Sequence, residues 1–281
     1  MAFVLLSLLS ANCLVLPRRL RIRGWHESFE EVRVTNRRSG WVGRLVMGVA
    51  VGAVVLVAAK PAAAQSTIFN IPTTDTVAAK KGYFEFDYLA QAPTPDAGSF
   101  QIYMPRVVFG VGSQVEVGVN INATHYSDDG GNYAQFQPNI KYKFYANDDA
   151  GVAGAAGVIF YTPLNNRDAS DSFGLVYGEV SKKVKTGSYG PRMTVGVYGS
   201  VSYGDDNTGG VLLGYEQPLS SKVSFVADWF SGKNFWGYFT PGISVTLPHS
   251  GLLNVGYSLG NDSYDGNKNR ALFVYYGVTF P

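Results

Sequence analysis

The chain has 281 residues, of which 46% are hydrophobic and only 16% are charged. Soluble domains carry about 25% charged residues, and 33 glycines with 18 tyrosines and 17 phenylalanines are not the composition of a coiled coil or a disordered chain. Up to Ala64 there are 9 Lys and Arg against 3 Asp and Glu, whereas from Gln65 onward there are 14 against 18. Because the main part of the chain is mildly acidic, we expect no nucleic-acid partner.

The first quarter of the chain has the pattern of an export signal. Three arginines stand before the apolar run 45–59, and small residues follow that run up to Ala64. This order predicts a secretory signal peptide at about 37–64, within a leader 1–64, with cleavage after Ala64. The single cysteine, Cys13, lies in the leader, so the mature chain is expected to have no disulfide and no cysteine metal site. Residues 65–81 are predicted to form a periplasmic N-terminal extension, and nothing in them specifies whether they enter a barrel mouth.

Apolar and polar residues alternate from residue 82 onward, which predicts β-strands with two different faces. In 115–122, three valines and Ile121 share one face, while Glu116, a glycine and two asparagines share the other. A change of apolar parity at Pro105 predicts a bulge in the second strand. Turn residues divide the chain into twelve such segments, at 82–91, 99–111, 115–126, 132–145, 151–163, 172–184, 191–203, 210–219, 222–231, 235–248, 252–261 and 269–280.

The polar faces decide between a soluble sandwich and a membrane barrel. They carry mostly Gly, Ser, Thr and Asn, whereas a soluble sandwich covers its outer faces with charge. A closed antiparallel barrel in lipid, with apolar residues outward, fits this pattern and leaves no unpaired sheet edge. Residues 82–281 are therefore predicted to be an all-β transmembrane barrel of twelve strands. Ten or fourteen strands remain possible if the first, fifth or sixth segment is misread.

Aromatic residues near predicted strand ends favour the same interpretation, because membrane barrels carry aromatic girdles at both interfaces. Ordinary enrichment of aromatics in β-sheets explains part of this placement. The aromatic residues assigned to the girdles are Tyr83, Tyr88, Tyr103, Tyr145, Tyr161, Tyr203, Trp229, Trp236 and Tyr238.

The C-terminal alternation Tyr276-x-Val278-x-Phe280 is similar to the aromatic end signal of Gram-negative outer-membrane proteins, although Pro281 departs from their usual aromatic end. The chain as a whole resembles these porin- and transporter-like barrels, including the outer-membrane family linked to the meta-pathway of phenol degradation. The resemblance implies an outer-membrane location, with lipid and lipopolysaccharide around the barrel, insertion by the barrel assembly machinery and passage of small solutes.

The lumen of such a barrel would be narrow and polar, since twelve strands lie between filled and open barrels. Opposite charges on neighbouring strands can either brace the wall or set the preference of a pore. Glu116 beside Lys141 or Lys143, and Glu179 near Lys183 or Arg192, suggest bracing. By strand parity, the predicted pore-lining charged residues are Glu85, Asp87, Arg106, Glu116, Lys141, Lys143, Glu179, Lys183, Arg192, Glu216 and Asp228.

An enzyme at the barrel rim and a closed structural barrel are the alternatives to a channel. Some twelve-stranded outer-membrane barrels are phospholipases with a His-x-Ser pair facing lipid, and this chain has His125-Tyr126-Ser127. A serine nucleophile needs an oriented base, but the predicted hairpin places Tyr133 or Ala134 opposite His125. We therefore expect no catalytic activity, no metal site and no cofactor.

Overall fold

The computed structural model describes residues 66–91, 99–127, 131–166, 171–184, 189–201, 208–261 and 269–281. The predicted leader and signal peptide, at 1–64, lie outside these residues. No described residue belongs to an apolar helix long enough to cross a membrane. The described part contains twelve strands: β1 Gly82–Ala90, β2 Phe100–Gly110, β3 Val115–Tyr126, β4 Asn132–Asn147, β5 Val152–Pro163, β6 Phe173–Lys183, β7 Arg192–Val201, β8 Gly209–Pro218, β9 Val223–Phe230, β10 Tyr238–Leu247, β11 Gly251–Gly260 and β12 Arg270–Phe280.

The strands form one closed antiparallel barrel, as the alternation predicted. Each strand pairs with its neighbours in sequence, and β1 closes the ring by pairing with β12 from Gly82↔Phe280 to Ala90↔Leu272. Closure gives every strand two hydrogen-bonded neighbours, so the sheet has no edge. We call the end at which β1 begins and β12 ends the turn end, and the opposite end the loop end.

The exposed face of the wall is apolar and the inward face is mostly polar. On β7, Val197 is 63% exposed, whereas Thr194 and Ser200 on the other face are buried. Twenty-eight large hydrophobic side chains are exposed among the described residues. An apolar surface of this extent is stable in lipid and costly in water.

The predicted bulge at Pro105 was wrong. Pro105 pairs with Phe86, and the register of β2 is unbroken against both β1 and β3. The parity of apolar residues changes because Ile102 and Met104 lie on the inward face, paired with Leu89 and Asp87 of β1. The structure instead has an irregularity between Tyr142 and Tyr145, where the register of β4 against β5 shifts.

The barrel interior is occupied by the chain that precedes β1. Ile68, Phe69 and Ile71 are fully buried, and they pack in one cluster with inward side chains of the wall. We call residues 66–81 the luminal segment. The sequence assigned this stretch to a periplasmic extension and left its entry into the barrel open. Its compartment stays a prediction, but residues 66–77 are buried or half-buried inside the barrel, and residues 78–80 are exposed.

Candidate functional site: the occupied lumen

The luminal segment begins as a short hairpin. Thr67 and Pro72 form an antiparallel bridge, and the backbone N–H of Thr73 donates to the carbonyl of Ser66 at 3.0 Å. The N–H of Ile68 donates to the carbonyl of Ile71, also at 3.0 Å, and closes the tip. We call Ile68–Ile71 the hairpin tip; it is the part of the segment that lies among the buried aromatic side chains.

Inward glycines make room for the hairpin tip. A Cβ atom added to Gly256 would lie 2.6 Å from the Phe69 ring, and one added to Gly214 would lie 2.7 Å from the Ile71 side chain. The Phe69 ring also contacts the rings of Phe273 and Tyr275, with centroids 5.3 Å and 6.0 Å away. Larger residues at these glycines would therefore collide with the tip.

Asp228 binds the backbone of the hairpin tip. One of its carboxylate oxygens accepts the N–H groups of Phe69, Asn70 and Ile71 at 3.0, 2.5 and 3.0 Å. The Asn70 side-chain amide donates to the other oxygen at 3.1 Å and to the hydroxyl of Thr240 at 2.8 Å. Consecutive N–H groups that converge on an anion form a concave binding site, and hydrogen bonds to a charged acceptor are stronger than neutral ones.

A buried ion pair holds the base of the hairpin. Lys141 lies 2.9 Å from Glu116 and also donates to the carbonyls of Ser66 and Thr73 at 3.2 and 3.1 Å. Glu116 accepts from the Ser66 hydroxyl and from the N–H of Val77, both at 2.7 Å. The pairing of Glu116 with Lys141 that the sequence suggested is therefore present, and the pair also binds the luminal segment.

The middle of the segment is held by Arg192 and Ser181. Arg192 pairs with Asp75 of the segment and with Glu216 on β8, and the hydroxyl of Thr74 lies 2.6 Å from that of Ser181. Partial burial raises the pKa of the Asp75 carboxyl, but the Arg192 guanidinium outweighs it and holds that pKa below its ordinary value of 3.8. Asp75 is therefore charged at neutral pH and attracts Arg192.

A third charged group lies on β1 and β2. Arg106 binds Glu85 at 3.3 Å and Asp87 at 2.7 Å, so one cation serves two carboxylates. Glu85 also accepts from the hydroxyls of Tyr83 and Thr67, at 2.7 and 3.2 Å. Among the described residues, this group contacts the luminal segment at Thr67, through Glu85 and Arg106.

Glu179 differs from the other inward acidic residues. It is 3% exposed, and neither carboxylate oxygen has a hydrogen-bond partner among the described residues. Its expected partners do not pair with it: Arg192 binds Asp75 and Glu216, and Lys183 is exposed at the turn end. Strand parity correctly indicated the face of Glu179, but it could not indicate which carboxylate Arg192 would choose.

The eleven predicted pore-lining residues thus fall into groups. Seven form the three ion-paired groups around Arg106, Lys141 and Arg192. Asp228 binds the hairpin tip, Glu179 is unpartnered, Lys143 is half-buried and Lys183 is exposed. Their role in lining a pore stays a prediction.

Aromatic side chains fill the lumen on the loop-end side of the hairpin. The rings of Tyr161 and Phe173 stack with centroids 4.5 Å apart, and Trp236 folds in from the β9–β10 connection to contact both. Tyr83, Tyr161 and Trp236 are buried inside, so their assignment to the interfacial girdles was wrong. Tyr83 shares the parity of inward Glu85, a signal that identifies its face, whereas Trp236 lies in a connection where parity says nothing.

The rim holds a pair that the sequence did not reveal. His125 pairs with Asn132 and not with Tyr133 or Ala134, and its Nδ1 lies 2.7 Å from the Asn132 side-chain oxygen. The predicted start of this strand was correct, but the register between β3 and β4 was one or two residues off, because the hairpin pairs His125 with the first residue of β4. The Ser127 hydroxyl accepts the N–H of Ser99 at 2.8 Å. His125 therefore has a polar side chain, Asn132, that can orient its imidazole, where the sequence predicted Tyr133 or Ala134.

No protein-family model and no curated protein matches the sequence. Among solved structures, an outer-membrane channel from Pseudomonas putida F1 is similar at 12% identity over 79% of this chain and 100% of that one, with a TM-score of 0.47. The toluene transporter TbuX of Ralstonia pickettii shares 7% identity over 78% of this chain and 92% of that one, with a TM-score of 0.34. The translocator domain of the autotransporter NalP from Neisseria meningitidis shares 11% identity over 85% and 94%, with a TM-score of 0.35.

These solved structures are too distant from this chain to indicate its activity. A closed antiparallel barrel with an apolar outer surface is the architecture of outer-membrane proteins. The chain is an outer-membrane β-barrel, and its lumen holds the segment that precedes β1.

Proposed function

We propose that this protein is an outer-membrane channel for small solutes whose lumen is closed by the luminal segment and opens when that segment moves. The observation that carries the proposal is the way the segment is held. Its hairpin tip and middle bind the wall mainly through side chains, at Asp228, Lys141, Glu116 and Arg192. Such contacts can break without opening the barrel, because the wall is held separately by twelve strand pairings that close the ring.

A purely structural barrel would not need a separate segment to fill its lumen. Barrels of about eight strands fill their interior with wall side chains alone, whereas this wall keeps inward glycines at 214, 242 and 256 that fit a removable segment. With the segment displaced and the loop-end rings of Tyr161, Phe173 and Trp236 moved aside, the inward polar side chains would line a narrow polar passage. Small solutes would then cross between the cell exterior and the periplasm.

A reversible tether tests the proposal. The hydroxyls of Thr74 and Ser181 lie 2.6 Å apart, so the double variant Thr74→Cys/Ser181→Cys places two thiols next to each other for oxidation to a disulfide. The only native cysteine is Cys13, in the predicted leader, so no competing thiol is expected. Single-channel current in planar bilayers should disappear when the variant is oxidised and return when it is reduced.

The matched control joins two wall residues. The hydroxyls of Thr162 and Ser172 lie 2.5 Å apart at the β5–β6 hairpin, so Thr162→Cys/Ser172→Cys gives a disulfide that does not hold the luminal segment. This variant should conduct equally when oxidised and when reduced. Unchanged current through the oxidised Thr74–Ser181 variant would show that the segment does not close the pore, and absence of current in every form would show a closed structural barrel.

The hydrogen bond between His125 and Asn132 favours a second candidate function, ester hydrolysis at the rim. In this reading Asn132 orients the imidazole of His125, and His125 takes the proton of Ser127 as the serine oxygen attacks the ester carbonyl. The bond to the alcohol breaks, the alcohol takes that proton from His125, and water then hydrolyses the acyl-serine to release the fatty acid. Release of fatty acid from phospholipid vesicles by the wild-type protein, lost in Ser127→Ala and kept in Ser99→Ala, would support it. No hydrolysis by the wild-type protein would end this candidate and leave the channel unaffected.

A further inference from the structure

The inward charges of the wall do not balance locally. Within the described residues, Lys141 is matched by Glu116 and Arg192 by Glu216, while Arg106 is shared between Glu85 and Asp87. The two remaining inward carboxylates, Asp228 and Glu179, have no Lys or Arg within 4.0 Å among those residues. Both lie on the buried face of the barrel, 1% and 3% exposed.

Asp228 depends on the luminal segment for its hydrogen bonds. Its described donors are the backbone N–H groups of Phe69, Asn70 and Ile71 and the side-chain amide of Asn70, all of which belong to the hairpin tip. When the tip leaves, no Lys or Arg of the described wall lies within 4.0 Å of Asp228 to replace these donors. Asp228 would then be a carboxylate on the wall of a narrow passage, paired across the strands with Thr240 of β10.

Glu179 is unpartnered even while the segment is in place. The charged and titratable groups around it are Lys141, Arg192, Asp75, Glu216 and Tyr177. Lys141 and Arg192 already bind other carboxylates, and Asp75 would depart with the luminal segment. Burying a carboxylate without hydrogen bonds costs free energy. Water or a cation that enters the opened lumen would therefore be stabilised beside Glu179.

We propose that Asp228 and Glu179 are the cation-selecting positions of the open lumen, and that the solutes this channel passes most readily are cations; this rests on the proposed channel function. Fixed carboxylates in a constriction favour cations over anions. The aromatic rings that the tip contacts strengthen this preference for organic cations, because ring faces attract positive charge. The inward lysines outside the ion pairs, Lys143 and Lys183, lie toward the turn end, where water screens them more.

The test is the reversal potential of single channels under a potassium chloride gradient, recorded from the full-length protein. We expect the wild-type open state to prefer K⁺ over Cl⁻ severalfold. The variant Asp228→Asn/Glu179→Gln should reduce that preference to nearly equal permeability. Phe69→Ala removes the ring that packs the hairpin tip against the wall and does not change the charge. Added to the wild-type protein and to Asp228→Asn/Glu179→Gln, it should lengthen the openings in which the reversal potential is measured.

A charge-matched control separates a local effect from a general one. Asp148→Asn/Asp149→Asn removes two negative charges from the exposed β4–β5 turn and should leave the K⁺ preference unchanged. Chloride preference in the wild type, or an unchanged ratio in Asp228→Asn/Glu179→Gln, overturns the inference while the channel stands. Absence of conductance in every variant overturns the channel, and the inference with it.

Discussion

The ring of Phe69 occupies the place where Gly256 would carry a side chain. A Cβ atom at Gly256 would approach this ring to 2.6 Å, and one at Gly242 would approach it to 2.5 Å. These two glycines are paired across β10 and β11, so together they form a hollow in the wall. Phe69 is fully buried in it.

Filling this hollow should dislodge the hairpin tip. In Gly256→Ala the added methyl group overlaps the Phe69 ring, and overpacking of this kind costs about 1–3 kcal/mol. We expect longer and more frequent openings in planar bilayers than for the wild-type protein. Gly178→Ala is the control, because a Cβ atom there meets nothing within 4 Å; equal gating in both variants would contradict the fit.

Removing the Asp228 carboxylate should release the tip more completely. Asp228→Ala leaves the N–H groups of Phe69, Asn70 and Ile71 without their acceptor, and each buried unpaired donor costs about 1–3 kcal/mol. The measurement is maleimide labelling of a cysteine placed at Ile68, which is fully buried in the wild-type structure. Labelling should be fast with Asp228→Ala and slow without it, and equally slow labelling in both would show that Asp228 does not hold the tip.

Acid should loosen the middle of the luminal segment through Asp75. Its pKa is lowered from the ordinary 3.8 when Arg192 is bound, so the ion pair contributes fully above about pH 4. That contribution is lost as pH falls through the lowered pKa. The effect of Asp75 on the open probability should therefore be constant from pH 7 to about pH 5, and the open probability should rise at lower pH. Asp75→Asn should remove this acid component; an identical acid response in that variant would assign it to other groups.

The alternation of residues predicted the strands of the wall more accurately than the contacts inside the lumen. The third strand was predicted at 115–126 and is observed at Val115–Tyr126, because period-two alternation is a local property. The partners of Asp228 lie 157 to 159 positions away, and no local pattern encodes such a contact. Strand parity placed Glu179 inward. Whether Arg192 pairs with Glu179 or with Glu216, however, depends on side-chain geometry across three strands.

The outward face of β7 offers a test of the membrane environment itself. Val197 is 63% exposed near the middle of this strand, and a lysine on the lipid face at the bilayer midplane costs about 2–4 kcal/mol. Val197→Lys should lower the fraction of protein that folds into lipid vesicles, measured by the heat-modifiable shift in gel mobility. Ser220→Lys, in the exposed β8–β9 turn, adds the same charge outside the apolar belt and should fold like the wild-type protein. Equal folding of both variants would show that Val197 does not face lipid.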